Sequence, residues 1–156
     1  MAFCFLDTNA FLKLFLNEKG SGWIRNFIIN NQVTISELTL AETTNSLTRL
    51  FREGKLTKND VVNLLTFITA QAATFEIVPL EIQNQLQDLT SLGLGIPTTL
   101  RLRTLDALQI IASELAKADI LAQNANATFI FISSDIQLLR VAQARGFTTE
   151  NPENYP

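Results

Sequence analysis

Apolar residues along this chain fall into short unbroken blocks separated by longer stretches of helical periodicity. Residues 2–6, AFCFL, are apolar without alternation and stop at a polar turn, which predicts a strand buried on both faces. Helices are expected over 10–16 and 21–30, with a brief β-branched strand at 33–35 between the second of these and a longer helix over 37–53. On that longer helix Leu40, Thr44, Leu47 and Phe51 share one face and predict its inner side. Gly54 closes it, and Thr57 opens the next helix, which runs to about residue 73. A strand over 74–78 is stopped by Pro79, a helix is expected over 80–92, and two Gly and one Pro make 93–99 a loop. An apolar helix follows over 102–118, with a short extra one over 119–125. The run TFIFIS at 128–133 has the continuous apolar character of a central parallel strand. A helix over 136–145 is capped by Gly146, and FTTENPENYP at 147–156 reads as a Pro-rich tail.

Strands alternating with helices imply a parallel sheet covered on both faces. In such sheets ligands bind beyond the carboxyl ends of the strands. Asp7 and Asp135 each stand there, directly after a buried strand.

The length of 156 residues fits one domain with a substantial core, and a 47% apolar, 17% charged composition is globular. A net charge of −3 argues against coating nucleic acid through overall charge, while leaving room for a local basic groove. A single cysteine, Cys4, excludes an internal disulfide and fits a reducing compartment. With one Cys and no His, a Cys/His zinc site and His general-base chemistry are both excluded. Any metal must therefore be held by oxygen, which selects Mg²⁺, Mn²⁺ or Ca²⁺. The apolar N-terminus lacks a basic n-region and a small-residue cleavage site, and no span offers eighteen uninterrupted apolar residues. The expectation is a cytoplasmic protein with no membrane association.

Four acids stand out, and each has a bland reading beside a chemical one. Asp7 and Asp135 can cap the helices that follow them, although Ser134 can serve the second helix as well. Glu42 aligns with Leu38, Asn45 and Arg49, off the main apolar face, as a solvated helical Glu would. Asp106, in RTLDALQIIA, sits in a first turn where the helix dipole favours an acid. Taken together, two acids at strand ends and two on neighbouring helices can converge on one pocket. Carboxylates that close repel one another, and a divalent cation removes the conflict. It also supplies a function, because such an ion polarises phosphoryl oxygens and activates water.

The ordered set LDTN at 6–9, LAETTNSL at 40–47, RTLDALQIIA at 103–112 and ISSDIQLL at 132–139 resembles the PIN-domain ribonucleases. It is most similar to the VapC-like toxins of bacterial type II toxin–antitoxin systems, over nearly the whole chain. The resemblance implies a three-layer α/β sandwich, a parallel sheet of about five strands flanked by helices, with 1–156 as a single PIN domain and 147–156 as its C-terminal tail. It implies a Mg²⁺- or Mn²⁺-dependent endoribonuclease using Asp7, Glu42, Asp106 and Asp135, and leaving a 5′-phosphate and a 3′-hydroxyl. Asp7 and Asp106 would be the principal metal ligands, with Glu42 and Asp135 acting directly or through water. Thr8, Asn9 and Ser133 match positions that support the acids in relatives. The resemblance further implies an RNA substrate, a homodimer and a small cognate antitoxin. Many relatives read DALH where this chain has DALQ, so Gln109 stands in place of a His.

For RNA contact, Arg101 and Arg103 beside the Gly/Pro loop are the first candidates, and Arg49, Arg52, Lys55 and Lys58 form a second basic group. Glu37 reads as a first-turn helix charge. A haloacid-dehalogenase phosphatase would need a second Asp at position 9, where this chain has Asn9. A receiver domain would need a phosphoacceptor Asp after a middle strand and a late Lys, and residues 128–135 contain no Lys. The remaining alternative is a PIN-like module that binds RNA or a partner without turnover, which the four intact acids disfavour.

Overall fold

The computed structural model describes residues 1–155. In chain order its elements are β1 (Phe3–Leu6), α1 (Thr8–Leu12), α2 (Ser21–Ile29), β2 (Gln32–Ser36), α3 (Glu37–Arg52), α4 (Lys58–Ala72) and β3 (Glu76–Val78). There follow α5 (Leu86–Gly95), α6 (Thr104–Gln123), β4 (Phe129–Ile132), α7 (Ile136–Ala144) and β5 (Thr148–Glu150). Short 3₁₀ turns lie at Ile82–Gln85 and Pro152–Asn154.

All five strands are parallel, in the order β3-β2-β1-β4-β5. Strands β2 and β3 add outward on one side of β1, and β4 and β5 on the other. The direction of winding therefore reverses between β1 and β4, and the crevice beyond their carboxyl ends is where such a sheet binds ligands.

The apolar blocks are buried on both faces, as their lack of alternation requires. Phe5, Phe129 and Phe131 point to one side, into a core with Leu92, Ile110, Ile111, Leu138 and Val141 from α5, α6 and α7. Cys4, Leu6 and Ile132 point to the other, against Phe11, Ile24, Leu47 and Ile68 from α1 through α4. Phe5 and Phe131 stack across neighbouring strands with ring centroids 5.7 Å apart, tying β1 to β4 just below the site. Among the described residues, no helix is long and apolar enough to cross a membrane.

Four expectations need correction. The tail contributes a fifth strand: β5 pairs with β4 from Ile130↔Thr148 to Ile132↔Glu150. Its sequence, TTE, carries no apolar run because an edge strand stays solvated. The helix expected over 80–92 shifts toward the carboxyl side and continues through Gly93 to Gly95. Buried Leu92 anchors it, and Pro97 ends it by holding Ile96 extended. The two helices expected over 102–125 are one, since buried Ile120 continues the inner stripe and no breaker intervenes. Finally, α3 is rotated from its expected face: Thr39, Thr43 and Leu47 are buried, whereas Thr44 is exposed and Phe51 is 46% exposed.

The chain's end is fastened to the body rather than trailing from it. Pro152 lies against Gly20, Tyr155 stacks on Trp23 with centroids 4.5 Å apart, and the buried Lys13 ammonium lies 3.0 Å from Glu153 and 3.3 Å from Glu18.

Candidate active site

Asp7 is the first residue beyond β1 and the N-cap of α1, its Oδ1 accepting the Ala10 N–H at 2.8 Å. Register places Leu6 beside Ile132, so Asp7 comes opposite Ser133 at the end of β4. The Ser133 hydroxyl donates to Asp7 Oδ2 at 2.6 Å, and its Oγ accepts the Asp135 N–H at 2.9 Å. One serine thus links the two strand-end acids. The Ser133 main-chain N–H in turn donates to the Glu150 carbonyl of β5, so the last strand helps to fix the serine. Asp135, rather than Ser134, is the N-cap of α7, with Oδ1 accepting from Gln137 and Leu138.

The helical acids come from α3 and α6. Glu42 is half-buried; its Oε2 accepts from Thr8 Oγ1 and, at 3.0 Å, from Gln109 Nε2. Asp106 is half-buried in the first turn of α6. All four acids line one hollow of about 350 Å³, together with Thr8, Asn9, Asn45, Ser46, Arg49, Arg103, Leu105, Gln109 and Leu138. Four larger hollows, of about 620, 560, 430 and 420 Å³, lie elsewhere, and none gathers more than one carboxylate. Chemistry rather than size therefore selects the smaller one.

Electrostatics marks the same place. Asp7 is only 3% exposed, and burial raises its carboxyl to about 7 against the hydrogen bonds from Ser133 and Ala10, with Asp135 and Glu42 adding repulsion. Asp106 is also raised, first by burial and then by Asp135 and Glu42, with the Arg103 main chain and guanidinium opposing. Acids that disfavour each other's charge are what a bound cation would reconcile.

The donor set fits that cation. It is all oxygen, with no His in the chain, so it suits a hard ion. Among the described residues no three acids stand close enough together to hold a metal ion by themselves. Mg²⁺ needs no such cluster, since it is commonly held by one or two carboxylates with water completing the shell.

The sequence-derived residues meet here with one exception. Asp7, Glu42, Asp106, Asp135, Thr8, Asn9 and Arg103 line the hollow, and Ser133 braces it from beneath. Arg101 is exposed and does not line it. Arg49, grouped with the outer basic residues, does line it, together with Asn45 and Ser46. The signal was the α3 spacing: Glu42, Asn45, Ser46 and Arg49 stand three, four and seven residues along one helical face.

Fold and site together define the class: a doubly wound parallel sheet carrying four carboxylates over the crevice where its winding reverses. A family profile described as the PIN domain matches residues 4–143, and the chain belongs to that family. Among solved structures it is similar to VapBC2 from Rickettsia felis, a complex bound to a DNA fragment from their promoter. Identity there is 16%, covering 96% of this chain and 98% of that one, with a TM-score of 0.59. It is similar also to FitAcB from Neisseria gonorrhoeae, at 14% identity, 96% and 97% coverage and a TM-score of 0.59. VapBC-1 from nontypeable Haemophilus influenzae gives 13% identity, 96% and 98% coverage and a TM-score of 0.56. At these identities the likeness concerns the fold. Comparison with curated protein sequences gives no match.

Proposed function

We propose that the chain is a Mg²⁺- or Mn²⁺-dependent endoribonuclease, the toxin of a type II toxin–antitoxin pair. The observation that carries this reading is the meeting of Asp7, Glu42, Asp106 and Asp135, from four separate elements, in one hollow beyond β1 and β4. In this reading Asp7 and Asp106, with Asp135, hold the cation. When bound, the ion supplies charge stabilisation at the phosphoryl group and a more acidic water. Glu42 orients the attacking water, while Thr8 and Gln109 fix its carboxylate. Arg49 and Arg103 line the same hollow and receive the phosphate oxygens, which an acidic site alone would repel. The water oxygen bonds to phosphorus and gives up a proton, the P–O3′ bond breaks, and the departing 3′ oxygen takes up a proton from solvent, so that water is added across the bond. The products are a 5′-phosphate and a 3′-hydroxyl.

A homodimer neutralised by a small antitoxin, acting in the cytoplasm, belongs to the same proposal. It is supported by family membership and by the likeness to VapBC and FitAcB structures. The test is incubation of purified protein with RNA and Mg²⁺ or Mn²⁺ beside Asp7→Asn and Asp106→Asn, with chelator controls. Cleavage by wild type alone supports the proposal, and equal cleavage by all three sinks the catalytic assignment. Retention of RNA without cleavage by any form would instead favour the binding module.

A further inference from the structure

Gln109 is the most fully engaged polar side chain beside the acids. It is 2% exposed, on the inner face of α6, and connects β2, α3 and α1 through hydrogen bonds alone. Its Oε1 lies 2.9 Å from Ser36 Oγ. Its Nε2 lies 3.0 Å from Glu42 Oε2, 3.1 Å from Thr8 Oγ1 and 3.2 Å from Thr39 Oγ1.

The direction of this network follows from its ends. Ser36 Oγ accepts the Thr39 main-chain N–H at 3.2 Å and, of its two neighbouring oxygens, donates to the nearer, Gln109 Oε1 at 2.9 Å, rather than to Thr39 Oγ1 at 3.2 Å. At the other end Gln109 Nε2 donates to Glu42 Oε2, which agrees with Oε1 being turned toward the Ser36 hydroxyl. Thr8 gives Glu42 Oε2 a second donor. Both donors meet the same oxygen, and among the described residues Oε1 of Glu42 has none, so that oxygen is left to the hollow.

We infer that Gln109 is a positioning residue that locks the Glu42 carboxylate in place, through a donor that stays neutral at every pH, so that Glu42 Oε1 faces the cation and its water. The inference rests on the cation-dependent reading of the site. Its basis is separate, because buried Ser36, Thr39 and Gln109 form a polar core where apolar packing would have sufficed for folding alone. Outer hydrogen bonds of this kind orient ligands and set metal affinity.

Calorimetric titration of the full chain with Mn²⁺ tests it, using wild type, Gln109→Met, Glu42→Gln and the double variant, each first shown to melt cooperatively. Gln109→Met should weaken Mn²⁺ binding about 10-fold, the lower end of the usual cost of losing such a partner, because Glu42 meets the ion through its water. In the Glu42→Gln background the same change should alter affinity by less than about twofold, because the group it positions is gone. Wild-type affinity in Gln109→Met overturns the inference, and so does an equal loss in both backgrounds, which would mark a general structural role. Should Gln109→Met fail to melt cooperatively, Ser36→Ala decides. It removes only the hydroxyl that orients Oε1; severalfold weaker binding supports the inference and unchanged binding overturns it. An absence of Mn²⁺ binding by wild type would overturn the cation reading itself, and this inference with it.

Discussion

At the scale of single residues, capping and chemistry are compatible at the two strand-end acids. Asp7 and Asp135 are both N-caps, as a local reading of the sequence allows, yet each spends only Oδ1 on its helix. Asp7 Oδ2 goes to Ser133, and that long-range bond was not legible, because it depends on the β1–β4 register. The positions of Asp7, Asp106 and Asp135 could be read from strand ends and helix starts. Gln109 showed only as a departure from DALH; its role required knowing what surrounds it. The raised Asp7 carboxyl has a consequence for stability. The folded chain keeps a proton that the unfolded chain has released, so this contribution is full below pH about 4 and is lost as pH rises through about 7. Without cation, wild type should therefore lose about 2–4 kcal/mol relative to Asp7→Asn between pH 4 and pH 8. Urea denaturation of both forms in chelator at the two pH values checks this. An unchanged difference would show that Asp7 does not carry a folded-state proton.

At the scale of elements, apolar runs announced the central strands plainly, since burial on both faces demands continuous hydrophobicity. The edge strand β5 has no such signal, and the inner face of α3 is hard to read because two threonines occupy it: Thr39 joins the polar network around Gln109, while Thr43 is buried with its hydroxyl unpaired among the described residues. The C-terminal segment depends on one backbone feature. Gly20 has φ +82°, and a Cβ there would lie 2.4 Å from the Pro152 carbonyl oxygen. Gly20→Ala should consequently cost roughly 2–4 kcal/mol in thermal or chemical denaturation, through left-handed strain and overpacking. Gly22, two residues on and inside α2, meets nothing within 4 Å. Gly22→Ala should be neutral or gain up to about 1 kcal/mol. Equal effects at both positions would contradict the close packing of the tail on α2.

At the scale of the whole molecule, the placement of the acids follows from topology. Winding β1, β2 and β3 one way, and β4 and β5 the other, brings residues 7 and 135 together across the sheet's switch point. Helices α3 and α6 then deliver Glu42 and Asp106 from the sides, with Arg49 and Arg103 on the same hollow. Net charge alone points away from nucleic acid, whereas Arg49 and Arg103 put two positive charges locally beside the acids. If they receive phosphate, Arg49→Ala and Arg103→Ala should each weaken RNA binding about tenfold. Each should also flatten the log–log salt dependence by about 0.7, and an unchanged slope in filter binding would place the RNA elsewhere. The central claim is that the acids act as one cation-dependent unit. Its most direct test is the single-turnover RNA cleavage rate in Mn²⁺ for Asp7→Asn, Asp106→Asn and the double variant. Groups acting together predict that each single change lowers the rate by about a thousandfold or more and that the double is scarcely worse. Small losses that multiply in the double variant, or none at all, would contradict it.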